Sequence, residues 1–269
     1  MPRIDRFICK TAVATAIVSI CVAEPIAVAQ MTPDGVWLYR PQTSNRQAVN
    51  FFRNGVELYK RAKMKESLVQ YDQAIKLDPK CAEFYFRRGD SLLELDKLPE
   101  AYADFTRAIQ LEPRHYPAYK RRGRLNYERG KIEEAIKDYK IAESICTNAV
   151  EKAEIIKMQA KMHSTIKKYN LAIDDLTRSL AFERVPQTLM VRGNQYYSVG
   201  AYKKAVDDYT EAIAAKMPKL QERLYTMRAD AYEKLGRFDL ARKDRKSAKA
   251  LVDDSWGGVL QDMDKQTKL

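Results

Sequence analysis

Two short patterns of small, apolar and aromatic positions recur along the chain. The first is a polar or basic residue followed by glycine, at Asn54-Gly55, Arg88-Gly89, Arg122-Gly123 and Arg192-Gly193. The second sets Ala, an aromatic and Ala along one stretch: Ala101, Phe105 and Ala108 with Ile109; Ala135, Tyr139 and Ala142; Ala205, Tyr209 and Ala212 with Ile213. The alanine follows the glycine by 12 residues each time, and two further copies carry Ala160 and Ala229 in the glycine's place. The small residues Gly55, Gly89, Gly123, Ala160, Gly193 and Ala229 are separated by 34, 34, 37, 33 and 36 residues. Each unit reads as two antiparallel amphipathic helices that cannot bury their apolar faces alone, so stacked neighbours must make one continuous core.

This pattern resembles the tetratricopeptide repeat, whose period is about 34 residues. The family sets a bulky residue at position 4, a small one at 8, a bulky one at 11, Ala at 20, an aromatic at 24, Ala at 27 and Pro at 32. Repeat 1 supplies Phe51, Gly55, Leu58, Ser67, Tyr71, Ala74 and Pro79, and repeat 2 supplies Tyr85, Gly89, Leu92, Ala101, Phe105, Ala108 and Pro113. Repeat 3 has Tyr119, Gly123, Asn126, Ala135, Tyr139 and Ala142, with Thr147 in place of proline. Repeat 4 departs most, with Ile156, Ala160, His163, Ala172, Leu176 and Ser179. Repeat 5 has Leu189, Gly193, Tyr196, Ala205, Tyr209 and Ala212, with Pro218 one place late, and repeat 6 has Tyr225, Ala229, Tyr232, Ala241 and Ala248, with Arg245 for the aromatic. The resemblance implies an all-α, right-handed α-solenoid of about six antiparallel helix-turn-helix repeats, at about 48–81, 82–115, 116–149, 153–186, 187–219 and 222–253. Residues 30–47 read as an irregular arm whose Trp37 and Tyr39 dock on repeat 1, and 254–269 as a tail containing Trp256. The spacing of 37 then 33 around repeat 4 marks either a local distortion for binding or a join between two three-repeat blocks.

Within that frame, helix A and helix B approach closely at the small residues, and the aromatic fills the space beside them. Gly130, Gly200 and Gly236 fall at A-to-B turns, where a left-handed cap favours glycine. Position 7 is Arg88, Arg122, Arg192 and Arg228, and position 23 is Asp104, Asp138, Asp208 and Asp244, which predicts Arg–Asp pairs tying helices together. Repeat 1 has Asn54 and Gln70 instead, and repeat 4 has Gln159 with Asp175.

Composition agrees with helix: 10 glycines and 10 prolines in 269 residues, 45% hydrophobic and 31% charged. The net charge of +12 biases the chain toward anionic partners or surfaces. Arg3, Arg6 and Lys10 precede the uncharged, mostly apolar Thr11–Ala23, and Ala27-Val28-Ala29 follows. This is the pattern of a secretory signal peptide, 1–29, cleaved after Ala29, and it predicts export to the periplasm or the extracellular space. An uncleaved N-terminal helix anchoring the chain to a membrane is the alternative, although 13 apolar residues fall short of the roughly 20 a span needs. Cys9 and Cys21 would leave with the signal. Cys81 and Cys146, two repeats apart, stand beyond the roughly 7 Å that a disulfide bridges and are expected as free thiols, with an intermolecular bridge left open.

No catalytic constellation, phosphate loop or metal motif is present in the sequence, so neither an enzyme activity nor a cofactor nor a metal is predicted. His163 takes packing position 11 and His115 an inter-repeat turn. The resemblance places function on the concave face lined by the A helices. Its middle is predicted to be basic and edged by tyrosine, through Lys120, Arg124 and Tyr127, then Lys157 and Lys161, then Asn194 and Tyr197; Phe52, Val56 and Tyr59 give an apolar N-terminal stretch. These point to a non-enzymatic scaffold binding a protein or peptide, with an acidic segment or chain terminus as the natural occupant. The carboxylate clamp of chaperone-binding members is not carried over, since Phe52 and Val56 occupy the comparable positions. A polyanion- or nucleic-acid-binding solenoid and a regulatory subunit of an exported enzyme complex are the alternatives; scattered lysines and a secretion signal disfavour nucleic acid.

Overall fold

The computed structural model describes residues 41–251 and, before them, the backbone of 30–31 and 37–38. The signal segment, the side chains of Trp37 and Tyr39, and the tail with Trp256 lie outside the described residues. The chain divides into two units at Arg40 and Pro41. In the first, β1 (Gln30–Met31) and β2 (Trp37–Leu38) pair antiparallel, Gln30 opposite Leu38 and Met31 opposite Trp37.

The second unit is a succession of helices: α1 (Arg46–Lys60), α2 (Met64–Leu77), α3 (Ala82–Glu94), α4 (Leu98–Leu111), α5 (Tyr116–Glu128), α6 (Ile132–Ile145), α7 (Ala149–Thr165), α8 (Tyr169–Phe182), α9 (Pro186–Ser198), α10 (Tyr202–Ala214) and α11 (Pro218–Lys234). A further helix, α12, covers 238–251. Odd-numbered helices are the A helices and even-numbered ones the B helices of six repeats. From α1 to α10 each A helix packs on the B helix that follows it, from α2 to α11 each B helix packs on the next A helix, and Arg228 on α11 bonds Asp244 on α12. This is the all-α solenoid that the sequence pattern predicts.

Local chemistry sets the helix ends. Asn45 caps α1 by accepting from the Gln47 and Ala48 amides, and Asn148 caps α7 by accepting from Glu151. Prolines stand in the first turns of α4, α5, α9 and α11, where an unpaired amide costs nothing. Pro218 thus opens α11 rather than closing α10, which ends at Ala214. Three of the A-to-B turns place Gly130, Gly200 and Gly236 in the left-handed region, at φ of 74°, 77° and 70°. The other three use Ala62, Asp96 and Lys167 there, at a steric cost glycine avoids.

The small residue at position 8 is a packing requirement. A Cβ on Gly55, Gly89 or Gly193 would stand 2.6, 2.7 or 2.5 Å from the ring of Tyr71, Phe105 or Tyr209. Those rings are buried and form the core together with the alanines at positions 20 and 27. Where Ser67 replaces the first of these alanines, its hydroxyl pairs with that of Ser91 at 2.8 Å inside the core.

The irregular spacing has a simple origin. Helices α3, α5 and α9 have 13 residues, whereas α7 and α11 have 17. Both long helices start four residues before the expected repeat boundary, at Ala149 instead of 153 and at Pro218 instead of 222. The extra residues form one added N-terminal turn, and α6 still packs directly on α7, so no join between blocks is needed.

All four predicted Arg–Asp pairs form, each as a two-pronged contact from helix A to helix B. Arg88 holds Asp104 at 2.8 and 2.7 Å, Arg122 holds Asp138 at 3.0 and 2.6 Å, Arg192 holds Asp208 at 2.9 and 2.7 Å, and Arg228 holds Asp244 at 2.7 and 2.8 Å. The aspartates are buried and the arginines lie over the rings of Tyr85, Tyr119, Tyr196 and Tyr225. In repeat 4, which lacks the arginine, Asp175 is held instead by His163 at 2.6 Å and by Arg178 at 2.7 Å. Arg178 also reaches Glu143 on α6, whose other oxygen accepts from Gln159 at 2.7 Å. Position 11 is polar in both degenerate repeats for the same reason: Asn126 in repeat 3 donates to Asp138 at 3.0 Å.

Cys81 and Cys146 are free and buried. Burial pushes the Cys81 thiol up to about 12 and raises that of Cys146, so neither is a ready nucleophile. No helix among the described residues is long and apolar enough to cross a membrane.

Candidate functional site: the A-helix face

The predicted groove residues lie on α1, α5, α7 and α9, all A helices, in three different environments. At the N-terminal end Phe52 is a correction: it is 4% exposed, with its ring 5.3 Å from Phe84 and 6.0 Å from Tyr71. It packs between α1, α2 and α3 and is core, as are Phe86 and Met190 at the same position of repeats 2 and 5. Val56 is half-buried against the same cluster. Tyr59 is half-buried, and its hydroxyl is held above the ordinary tyrosine range by burial and by the carboxylates of Asp90 and Glu94.

Asp90 belongs to a charged network between α3 and α5 that the reading of the sequence did not anticipate. Glu83 pairs with Arg87 at 2.7 Å, and Asp90 pairs with Arg121 at 2.8 Å. Burial pushes the Asp90 carboxyl above its ordinary range, with Arg121 and Arg87 opposing. His115, fully buried, accepts from the Ala118 amide at Nδ1, which leaves its proton on Nε2 to donate to Glu83 at 3.1 Å. Its role is to cap α5 and to donate a hydrogen bond to the buried Glu83. The signal for this network was present: Glu83 and Asp90 hold positions 2 and 9 of repeat 2, the positions that face the groove.

In the middle, most of the predicted cations already have carboxylate partners. Lys120 reaches Glu151 on α7 at 2.5 Å, Arg124 pairs with Glu128 at 2.8 Å, and Lys157 pairs with Glu154 and lies 3.9 Å from Glu183. The Glu128 hydrogen bond raises the Arg124 guanidinium further above its ordinary value. Lys161 differs. It is exposed, it lies 5.0 Å over the Tyr127 ring, and no carboxylate pairs with it among the described residues.

In repeat 5, Asn194 accepts from the Tyr209 hydroxyl at 2.7 Å, and Tyr197 sets its ring edge-on to Tyr202 at 5.2 Å. Both are partly occupied with their own B helix. The side of α9 turned toward α7 is formed by Gln187, Thr188, Val191 and Gln195. These four, with Lys157, Ala160, Lys161, Ser164 and Leu176, line a cleft of about 320 Å³. It lies within the roughly 300–1,000 Å³ usual for ligand sites, at their small end. Ser164 donates to Gln195 across it at 2.6 Å. Gln187 stands at position 2, one of the groove positions 2, 5, 9, 12 and 13 of the repeat frame, whereas Thr188, Val191 and Gln195 fall at positions 3, 6 and 10, beside that stripe.

Models of the TPR repeat and the tetratricopeptide repeat match residues 55–96, 82–115 and 222–248. Among solved structures, the C-terminal part of a TPR repeat-containing protein of Cytophaga hutchinsonii is 18% identical, covering 76% of this chain and 80% of that one, with a TM-score of 0.67. The pilF protein of Pseudomonas aeruginosa is 17% identical, covering 84% and 99%, with a TM-score of 0.63. MamA is 24% identical, covering 63% and 96%, with a TM-score of 0.57. These likenesses bear on the fold alone. No curated protein matches the sequence significantly.

Proposed function

The chain is a tetratricopeptide-repeat protein, a class that generally serves as a protein-interaction scaffold, and from that premise we propose that its A-helix face holds an extended acidic segment of a partner protein. The observation that carries this reading is Lys161, an exposed cation beside Tyr127 with no carboxylate partner among the described residues. Arg124 and Lys157 flank it. Arg124's own ion pair is exposed and worth only about 0–1 kcal/mol, so an incoming carboxylate can replace the partner cheaply. Tyrosine adds stiff contact area at small entropic cost. The family resemblance supports binding without chemistry. The basic, then apolar, then small-residue N-terminus supports an exported location, and Gln30 as first residue of the exported chain is the expected result of N-terminal sequencing; an intact Met1 would refute cleavage.

The test is selection of displayed random peptides on the full chain, followed by affinity measurements on synthetic copies. Enriched peptides should be acidic, should bind more weakly as salt rises, and should lose about tenfold or more with Lys161→Glu combined with Lys157→Glu. Enrichment of neutral or basic peptides, indifferent to both lysines, would remove the acidic part of the reading. No enrichment at all would remove the groove itself.

A further inference from the structure

Repeat 4 departs from the others where its core meets the A-helix face. In repeats 1, 2, 3 and 5 an aromatic ring lies over the glycine of helix A, so close that a Cβ there would stand 2.5–3.0 Å from it. In repeat 4 the corresponding residues are Ala160 and Leu176, each 2% exposed. The alanine Cβ excludes a ring, and the leucine does not reach as far as one would. Both residues pack with Ala172 and also line the cleft between α7 and α9. Val191, 38% exposed, forms the opposite apolar wall. Lys157 and Lys161 stand on the rim, Lys161 with no carboxylate partner among the described residues. The wall also carries Thr188, whose buried hydroxyl has no hydrogen-bond partner among the described residues.

We infer that this cleft is a side-chain socket, taking one bulky apolar residue of a bound segment that carries Asp or Glu within a residue or two of it. The inference rests on the reading of the A-helix face as a peptide groove and specifies what that groove selects. Burying a leucine- or phenylalanine-sized side chain contributes enough for roughly a 10- to 150-fold gain in affinity. The lysine rim fixes the acidic group beside it. What looks like decay of the fourth repeat is then the feature that gives the face an anchor point.

Restoring the standard pattern should close the socket without touching the lysines. Ala160→Gly with Leu176→Tyr replaces alanine and leucine by the glycine and ring found in repeats 1, 3 and 5. This double variant should keep its helicity and melting temperature and bind the selected peptides at least tenfold more weakly. Val191→Asp, at a partly exposed position where folding is safe, should weaken binding similarly. Replacing the apolar residue of a selected peptide by alanine should cost the same factor, and cost nothing further in the closed variant. Amidated and free-acid peptides distinguish a side-chain carboxylate from a chain terminus: equal binding is expected for an internal segment, and loss on amidation would overturn that assignment. Peptides that bind the wild-type chain and both variants equally would overturn the socket while leaving the groove reading intact. Failure to select any peptide would overturn both. Cross-linking of the cleft to a second copy of the chain would overturn the assignment of a partner segment.

Discussion

Phe105→Ala should lower the unfolding free energy by about 3–5 kcal/mol, the cost of emptying a buried aromatic site. Phe105 is fully buried, and its ring lies over Gly89, with 2.7 Å between its Cε1 and the place a Cβ would occupy. Gly89→Ala alone should destabilise by about 1–3 kcal/mol through overpacking, offset in part by the better helix propensity of alanine. Combined, the two should cost clearly less than their sum, because the methyl group enters the space the ring has left. Repeat 4 already holds an alanine against a smaller residue, with Ala160 and Leu176 in these places. Denaturant titration of the wild type, the two single variants and the double variant measures the coupling. Additive effects would mean that ring and glycine are not packed against each other as described.

Arg122→Ala should cost about 3 kcal/mol, although arginine is usually a surface residue. Its partner Asp138 is 4% exposed and would be left as a buried charge without its main counter-ion. Asn126 would remain, donating at 3.0 Å, but it brings no charge. Arg122→Ala with Asp138→Ala should recover part of the loss, since the second change removes the stranded carboxylate. Added salt should alter the coupling little, because the aspartate is shielded from solvent. Single effects that simply add in the double variant would show that the two-pronged contact contributes nothing to tying α5 to α6.

Much of this was legible in the sequence because repetition turns weak signals into strong ones. A single Arg at one position and Asp sixteen residues later means little. Four such pairs in register, from Arg88–Asp104 to Arg228–Asp244, predict a contact, and all four contacts form. The rings over glycine follow from the same frame. Repetition was least informative where copies diverge. The extra turn of α7 could not be separated from a break in the solenoid, because an inserted turn and a linker change the spacing equally. The replacement of an arginine by His163 and Arg178 around Asp175 required knowing which side chains converge from α7 and α8. On the A-helix face the lysines were placed correctly on their helices, but their partners were not foreseen. Lys120 meets Glu151 31 residues away, and such pairings depend on how one repeat sits on the next. Phe52 was misjudged because position 5 is buried wherever it is apolar, as Phe52, Phe86 and Met190, and stays partly exposed where it is Lys120 or Lys157.

The central claim is that this solenoid holds a partner segment on its A-helix face, anchored at repeat 4. The most direct measurement places a photo-reactive residue at Tyr127, Ser164 or Gln195 on α5, α7 and α9, or at the exposed Lys140, Asp174 or Asp207 on α6, α8 and α10. Each variant is irradiated with a labelled peptide selected on the unmodified chain. The account predicts covalent capture from the first three positions, competed away by unlabelled peptide, and none from the second three. Capture confined to α6, α8 and α10, or unaffected by the competitor, would contradict it.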